Sequence, residues 1–154
     1  MSPYDLIDEL ERLIKLILAY PHGFAILLGD REPPSSGDIV RAFPVGALDN
    51  MGIRGDSIPE AERLAMAMSR IDEIIGRAGG WEHITKCVQQ WKEENFEDWA
   101  IVTGYRRKKG ALKKAAAAHA YSKTTIWRKR RSFPGQIADY ILFCPVYANI
   151  LQTS

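Results

Sequence analysis

The chain has 154 residues, 46% hydrophobic and 26% charged, with a formal net charge of +2. That composition belongs to a folded protein of one or two small domains with enough apolar material for a core, and it excludes wholesale disorder. The apolar stretches are too short and too interrupted to span a membrane.

Residues 1–9 are acidic rather than basic, so no secretory signal is expected. Cys87 and Cys144 stand alone, with no CxxC and no paired His at ligand spacing. Both read as packing residues in a reduced, cytoplasmic setting.

Taken in chain order, Ser2 and Pro3 open a first helix over 4–19. Leu6, Ile7, Leu10, Leu13, Ile14, Ile17 and Leu18 form a broad apolar stripe, wide enough for a bundle core or a dimer seam. Tyr20-Pro21-His22-Gly23 stops it, and the apolar run at 24–28 is too short to assign. Residues 29–57 hold Pro33, Pro34, Gly37, Pro44, Gly46, Gly52 and Gly55. They read as an extended connector with one turn near 38–42. Arg54-Gly55-Asp56-Ser57 spells an adhesion tetrapeptide, a match too short to carry weight in a chain expected to stay inside the cell.

Ser57 is expected to cap a helix running to about Arg77, with Pro59 and Glu60 in its first turn. Ala61, Leu64, Ala65, Met68, Ile71, Ile74 and Ile75 carry its apolar face, and Met66 and Met68 read as packing residues. Gly79-Gly80 breaks the chain before a helix over 81–94 that buries Trp81, Ile84, Val88 and Trp91, with His83 structural. Asn95 caps the next helix, which runs from Phe96 to about Lys108 with Glu97 and Asp98 at its positive end. A final helix is expected to start at Ser132 and Pro134 and to bury Ile137, Tyr140, Ile141 and Leu142, with an apolar tail beyond Pro145.

Between Trp99 and Ala138 there is no Asp or Glu, whereas 11 of the 21 basic residues fall there, leaving 10 basic against 19 acidic elsewhere. A near-neutral total therefore conceals a polarised chain whose basic segment can replace counterions on phosphate. Within that segment Ala116 supplies the small residue a crossed helix pair needs, Ala120 stands at the turn, and Tyr121 plugs it. Ser122 is the N-cap of a second helix in which Ile126 points inward. Lys123, Thr124, Trp127, Arg128 and Arg131 share the opposite face.

The stretch YSKTTIWRKRR resembles the SRxTVYRxRKR-type recognition helix of sigma-factor region-four-like domains, and NFEDWAIVTGYRRKKGALKKAAAAHA resembles the helix pair that leads into it. In layout the chain is similar to small phage regulators of the ArpU and RinA kind and to lambdoid late antiterminators. The motif-level likeness covers residues 96–131. Lys129 departs from it at a usual core position, His119 takes an apolar slot, and Pro134 is expected to end the helix.

The expected architecture is all-α. It comprises an N-terminal helix (1–28), a Pro/Gly-rich connector (29–57), a helical bundle part (58–94) and a helix-turn-helix DNA-binding domain (95–154). Base contacts are assigned to Ser122, Lys123, Thr124, Trp127 and Arg128. Phosphate contacts are assigned to Arg106, Arg107, Lys109, Lys113, Lys114, Arg130 and Arg131. The resemblance implies a sequence-specific transcriptional regulator in the bacterial cytoplasm, at the nucleoid. Its partners would be double-stranded DNA and, through the acidic helices, host RNA polymerase or a second copy of the chain. No GxxxxGK[ST], HExxH, GxSxG or paired-cysteine pattern occurs, so neither an enzyme nor a cofactor or metal is expected. Competing readings with the same module are an antitermination factor loading on paused polymerase and a small terminase subunit on a ring-forming body. A protein-interaction adaptor without DNA is the remaining alternative.

Overall fold

In the computed structural model, residues 3–43, 59–104 and 122–143 are described. They form seven helices and, among the described residues, no strand. The helices are α1 (Pro3–Ala19), α2 (Gly23–Leu28), α3 (Ser36–Ala42), α4 (Glu60–Arg77), α5 (Gly80–Glu94), α6 (Phe96–Gly104) and α7 (Lys123–Phe143). The all-α expectation is met.

α1 forms because its apolar residues recur at helical spacing, and the structure buries that stripe: Leu10, Leu13, Ile14 and Ile17 are in the core, with Leu6, Ile7 and Leu18 packed at its margin. The stop at 20–23 is steric as well as local. A Cβ on Gly23 would lie 2.2 Å from the Ile17 carbonyl oxygen, so the chain can fold back onto the end of α1 only through glycine. The run at 24–28 is the short helix α2. Its end is a Schellman motif, with Gly29 at φ +82 and the bonds Asp30 N–H to Ala25 O and Gly29 N–H to Ile26 O.

In the stretch expected to be an extended connector, the turn expected near 38–42 is a capped helix. Ser35 and Asp38 form a reciprocal capping box, each side chain bonded to the other's backbone N–H at 3.1 and 3.4 Å. The box starts α3, which buries Ile39 and Val40 against α4. The S-x-x-D spacing that forms the box directly follows Pro33 and Pro34. Residues 44–58, including Ser57, lie outside the described residues.

The next helix begins two residues later than expected. Pro59 stands at the N-cap, without a side-chain cap bond, and Glu60 opens the helix. α4 buries Ala67, Ile71 and Ile74, and packs Leu64, Met68 and Ile75 beside them. Ala61, Ala65 and Met66 face solvent instead, because the inward face is centred on Ala67, where α4 comes close to its neighbours. On α5, Ile84, Cys87, Val88 and Trp91 are buried as a stripe. His83 is buried with them, its Nε2 lying 3.2 Å from the Ile141 carbonyl oxygen. Asn95 stands at the expected N-cap position of the following helix, where its carbonyl accepts from Trp99 N–H at 2.8 Å, but its side chain does not point to that helix. Its side-chain amide donates to the Trp91 carbonyl and so closes α5 instead.

The largest correction concerns α7. Ser132 and Pro134 were expected to start a new helix, yet Lys123–Phe143 is one helix with Pro134 inside it. The Ser132 hydroxyl donates back to the Lys129 carbonyl, as a mid-helix serine does, and caps nothing. An interior proline costs about 3 kcal/mol. Here Ile126 is fully buried near the start of the helix, and Phe133 before the proline and Ile137, Ala138, Ile141 and Leu142 after it are buried in one core. Each such side chain contributes roughly 1.5–3 kcal/mol on burial, so packing outweighs the local penalty.

Buried residues from all seven helices join in that core. α7 lies most extensively against α1 and also touches α5 and α6. Where these helices converge, the Phe133 ring meets Phe24, Trp91 and Trp99 at centroid distances of 5.9, 5.3 and 5.9 Å. Phe133→Ala should therefore lower unfolding stability by about 3–5 kcal/mol in urea titration. Trp127→Ala, on the same helix but exposed, should stay within about 0.5 kcal/mol of wild type.

Candidate functional site

The first turn of α7 is set by Ser122. Its hydroxyl accepts from the Thr125 backbone N–H at 3.1 Å and lies 2.8 Å from the Thr125 hydroxyl. Its carbonyl accepts from Ile126 N–H. The cap is the one expected from the sequence. The Ser122 side chain, assigned above to base contact, is thus already engaged in holding the helix start.

Ile126 is fully buried, seven residues before Phe133 and so on the same inward side of the helix. Lys123, Thr124, Trp127, Arg128 and Arg131 consequently lie on the exposed side, with Trp127 46% exposed. No acidic residue occupies the first turn, so the positive end of the helix dipole adds to Lys123 and Arg128 without a carboxylate to offset it. Arg131 reaches back over Trp127, its guanidinium carbon 4.9 Å from the ring centroid.

Two basic residues of the segment behave differently. Lys129 is only about 28% exposed and pairs with Asp98 of α6 at 2.7 Å. This accounts for a lysine at a position the motif normally gives to a core residue: its stem packs inward and its charge meets a partner. Arg130, assigned to phosphate, is half-buried. Arg106, Arg107, Lys109, Lys113 and Lys114 lie outside the described residues, as do Ala116, His119, Ala120, Tyr121 and Cys144. The structure therefore brings together the residues assigned to base contact and Arg131, whereas the residues expected to form the crossing partner are not among the described ones.

Elsewhere, Asp5, Asp8, Glu9, Arg12 and Arg70 line an open cleft of about 390 Å³ between α1 and α4. Glu9 and Arg70 form an ion pair across it, and Arg70 also meets Glu73. Among the described residues no group of three or more His, Cys, Asp or Glu is arranged to hold a metal. No described helix is long and apolar enough to cross a membrane. Sequence reasoning missed the Asp98–Lys129 pair, because nothing local relates positions 31 residues apart.

Comparison of the chain with known protein families, with curated proteins and with solved structures finds no match.

The Asp98–Lys129 pair couples α6 to the N-terminal half of α7. A double-mutant cycle with Asp98→Ala and Lys129→Ala should return a coupling of about 0.5–1 kcal/mol at low salt. The coupling should shrink at about 1 M salt, where the screening length falls to roughly 3 Å.

Proposed function

We propose that the chain is a sequence-specific DNA-binding transcriptional regulator of phage or prophage type, acting on transcription by host RNA polymerase. The observation that carries this reading is the outward face of α7. There Lys123, Thr124, Trp127, Arg128 and Arg131 are exposed on a helix whose opposite side is anchored by Ile126 and Phe133. A rigid cationic helix with polar, aromatic and guanidinium groups at its N-terminal end suits insertion into a major groove.

Three further features support it. The segment between Trp99 and Ala138 is free of carboxylates. Lys129, the basic residue whose position on the helix turns it inward, is neutralised by Asp98, whereas Lys123, Arg128 and Arg131 enter none of the ion pairs among the described residues. The motif resemblance over residues 96–131 adds the helix-turn-helix topology to the proposal. The acidic remainder of the chain is the part that repels a duplex, and it is assigned to contacts with polymerase or a second copy.

Division of labour follows from the chemistry. Lys123, Thr124, Trp127 and Arg128 read base edges, with Trp127 against a thymine methyl and Arg128 on a guanine or a neighbouring acceptor. Arg106, Arg107, Lys109, Lys113 and Lys114 neutralise phosphates.

Random-duplex selection followed by sequencing should return a defined site. Arg128→Ala should relax preference at one position of that site, worth about 1–3 kcal/mol of discrimination. Lys113→Ala should weaken all duplexes alike and reduce the salt slope by about one. If the wild-type chain binds no duplex at about 50 mM salt, where phosphate-driven affinity is strong, the DNA reading fails and a protein-interaction adaptor takes its place.

A further inference from the structure

Trp127 and Arg131 stand one helical turn apart on the exposed face of α7, and the two side chains are already in contact. A long side chain on a helix leans toward the N-terminus and covers the turn before its own Cα. Arg131 thus delivers its charge to the level of Trp127 and Arg128, the end of the helix nearest the bases in the reading above.

The contact does more than move a charge. A guanidinium resting against an aromatic ring loses part of its rotamer freedom before any partner arrives. Its planar fork of N–H donors is thereby partly pre-organised. Two parallel donors presented edge-on match the N7 and O6 acceptors of guanine in the major groove. Attraction to phosphate alone requires no platform, since a lysine serves it as a point charge.

We propose that Arg131, oriented by Trp127, determines specificity for a guanine in the bound duplex, in place of the phosphate contact the sequence assigned to it. In this arrangement Trp127 is a positioning residue as well as an apolar surface. The proposal rests on the duplex-binding reading and assigns one contact within it.

The test uses the full chain and the site returned by duplex selection, with each guanine replaced in turn by deazaguanine, which lacks the N7 acceptor. One position other than that read by Arg128 should weaken wild-type binding on the order of ten-fold. At that position Arg131→Lys should lose the preference while still binding duplex with a near-unchanged salt slope. Trp127→Ala should lose most of the preference, and Trp127→Phe, which keeps an aromatic platform, should retain most of it. Retention of the preference by Arg131→Lys, or an unchanged preference in Trp127→Ala, would overturn the assignment and leave duplex binding intact. The same holds if the selected site contains no guanine sensitive to the replacement. Absence of wild-type binding to any duplex would instead remove the underlying reading, and this assignment with it.

Discussion

Phe133 is the side chain on which the arrangement of this protein depends. It is contributed by the middle of α7 and is met by rings from α2, α5 and α6, with Trp99 also in edge contact with Phe24 and Trp91. Aromatic pairs in tilted and edge geometries add roughly 0.5–1.5 kcal/mol each beyond the area they bury. A cluster of this kind resists sliding and rotation of the helices that supply it. Because α7 passes through the cluster, its rotation about its own axis is set far from its exposed end, and so is the direction in which Lys123, Trp127 and Arg128 project.

The two halves of α7 serve different ends with one continuous backbone. Beyond Phe133 its buried face is continuous, from Pro134 to Leu142, and lies chiefly against α1. Before Arg130 only Ile126 is fully buried, and the remaining positions are polar, cationic or, at Trp127, aromatic and exposed. The C-terminal half is thus an anchor and the N-terminal half a presented surface. The Asp98–Lys129 pair sits at the junction and ties α6 to the presented half. Such a pair in a partly exposed position contributes little to stability, and its value lies in registering one helix against the other.

Local sequence signals were reliable where the physics is local. The stripe of α1, the glycine stops at 23 and 79, the Ser122 cap and the inward Ile126 all follow from contacts within a turn or two of the chain. The S-x-x-D box at Ser35 is equally local, and it starts a helix directly after Pro33 and Pro34, which themselves favour extended backbone. At Asn95 two local roles compete, closing one helix or opening the next, and the side chain serves the first. Sequence spacing cannot rank them, because the outcome depends on the angle at which α6 leaves α5.

By itself, the order of residues determined that the chain is helical, which stripe of α1 and α5 faces inward, where its positive charge is concentrated, and which side of residues 123–131 lies opposite Ile126. All of these rest on periodicity, capping and charge, whose range is a few residues. Only the tertiary structure decided that α7 continues through Pro134, that Lys129 turns toward Asp98, that Ile39 and Val40 are core residues, and that three rings meet Phe133. Those outcomes are balances between a local cost and contacts supplied by distant parts of the chain, and the second half of each balance exists only once the helices have packed.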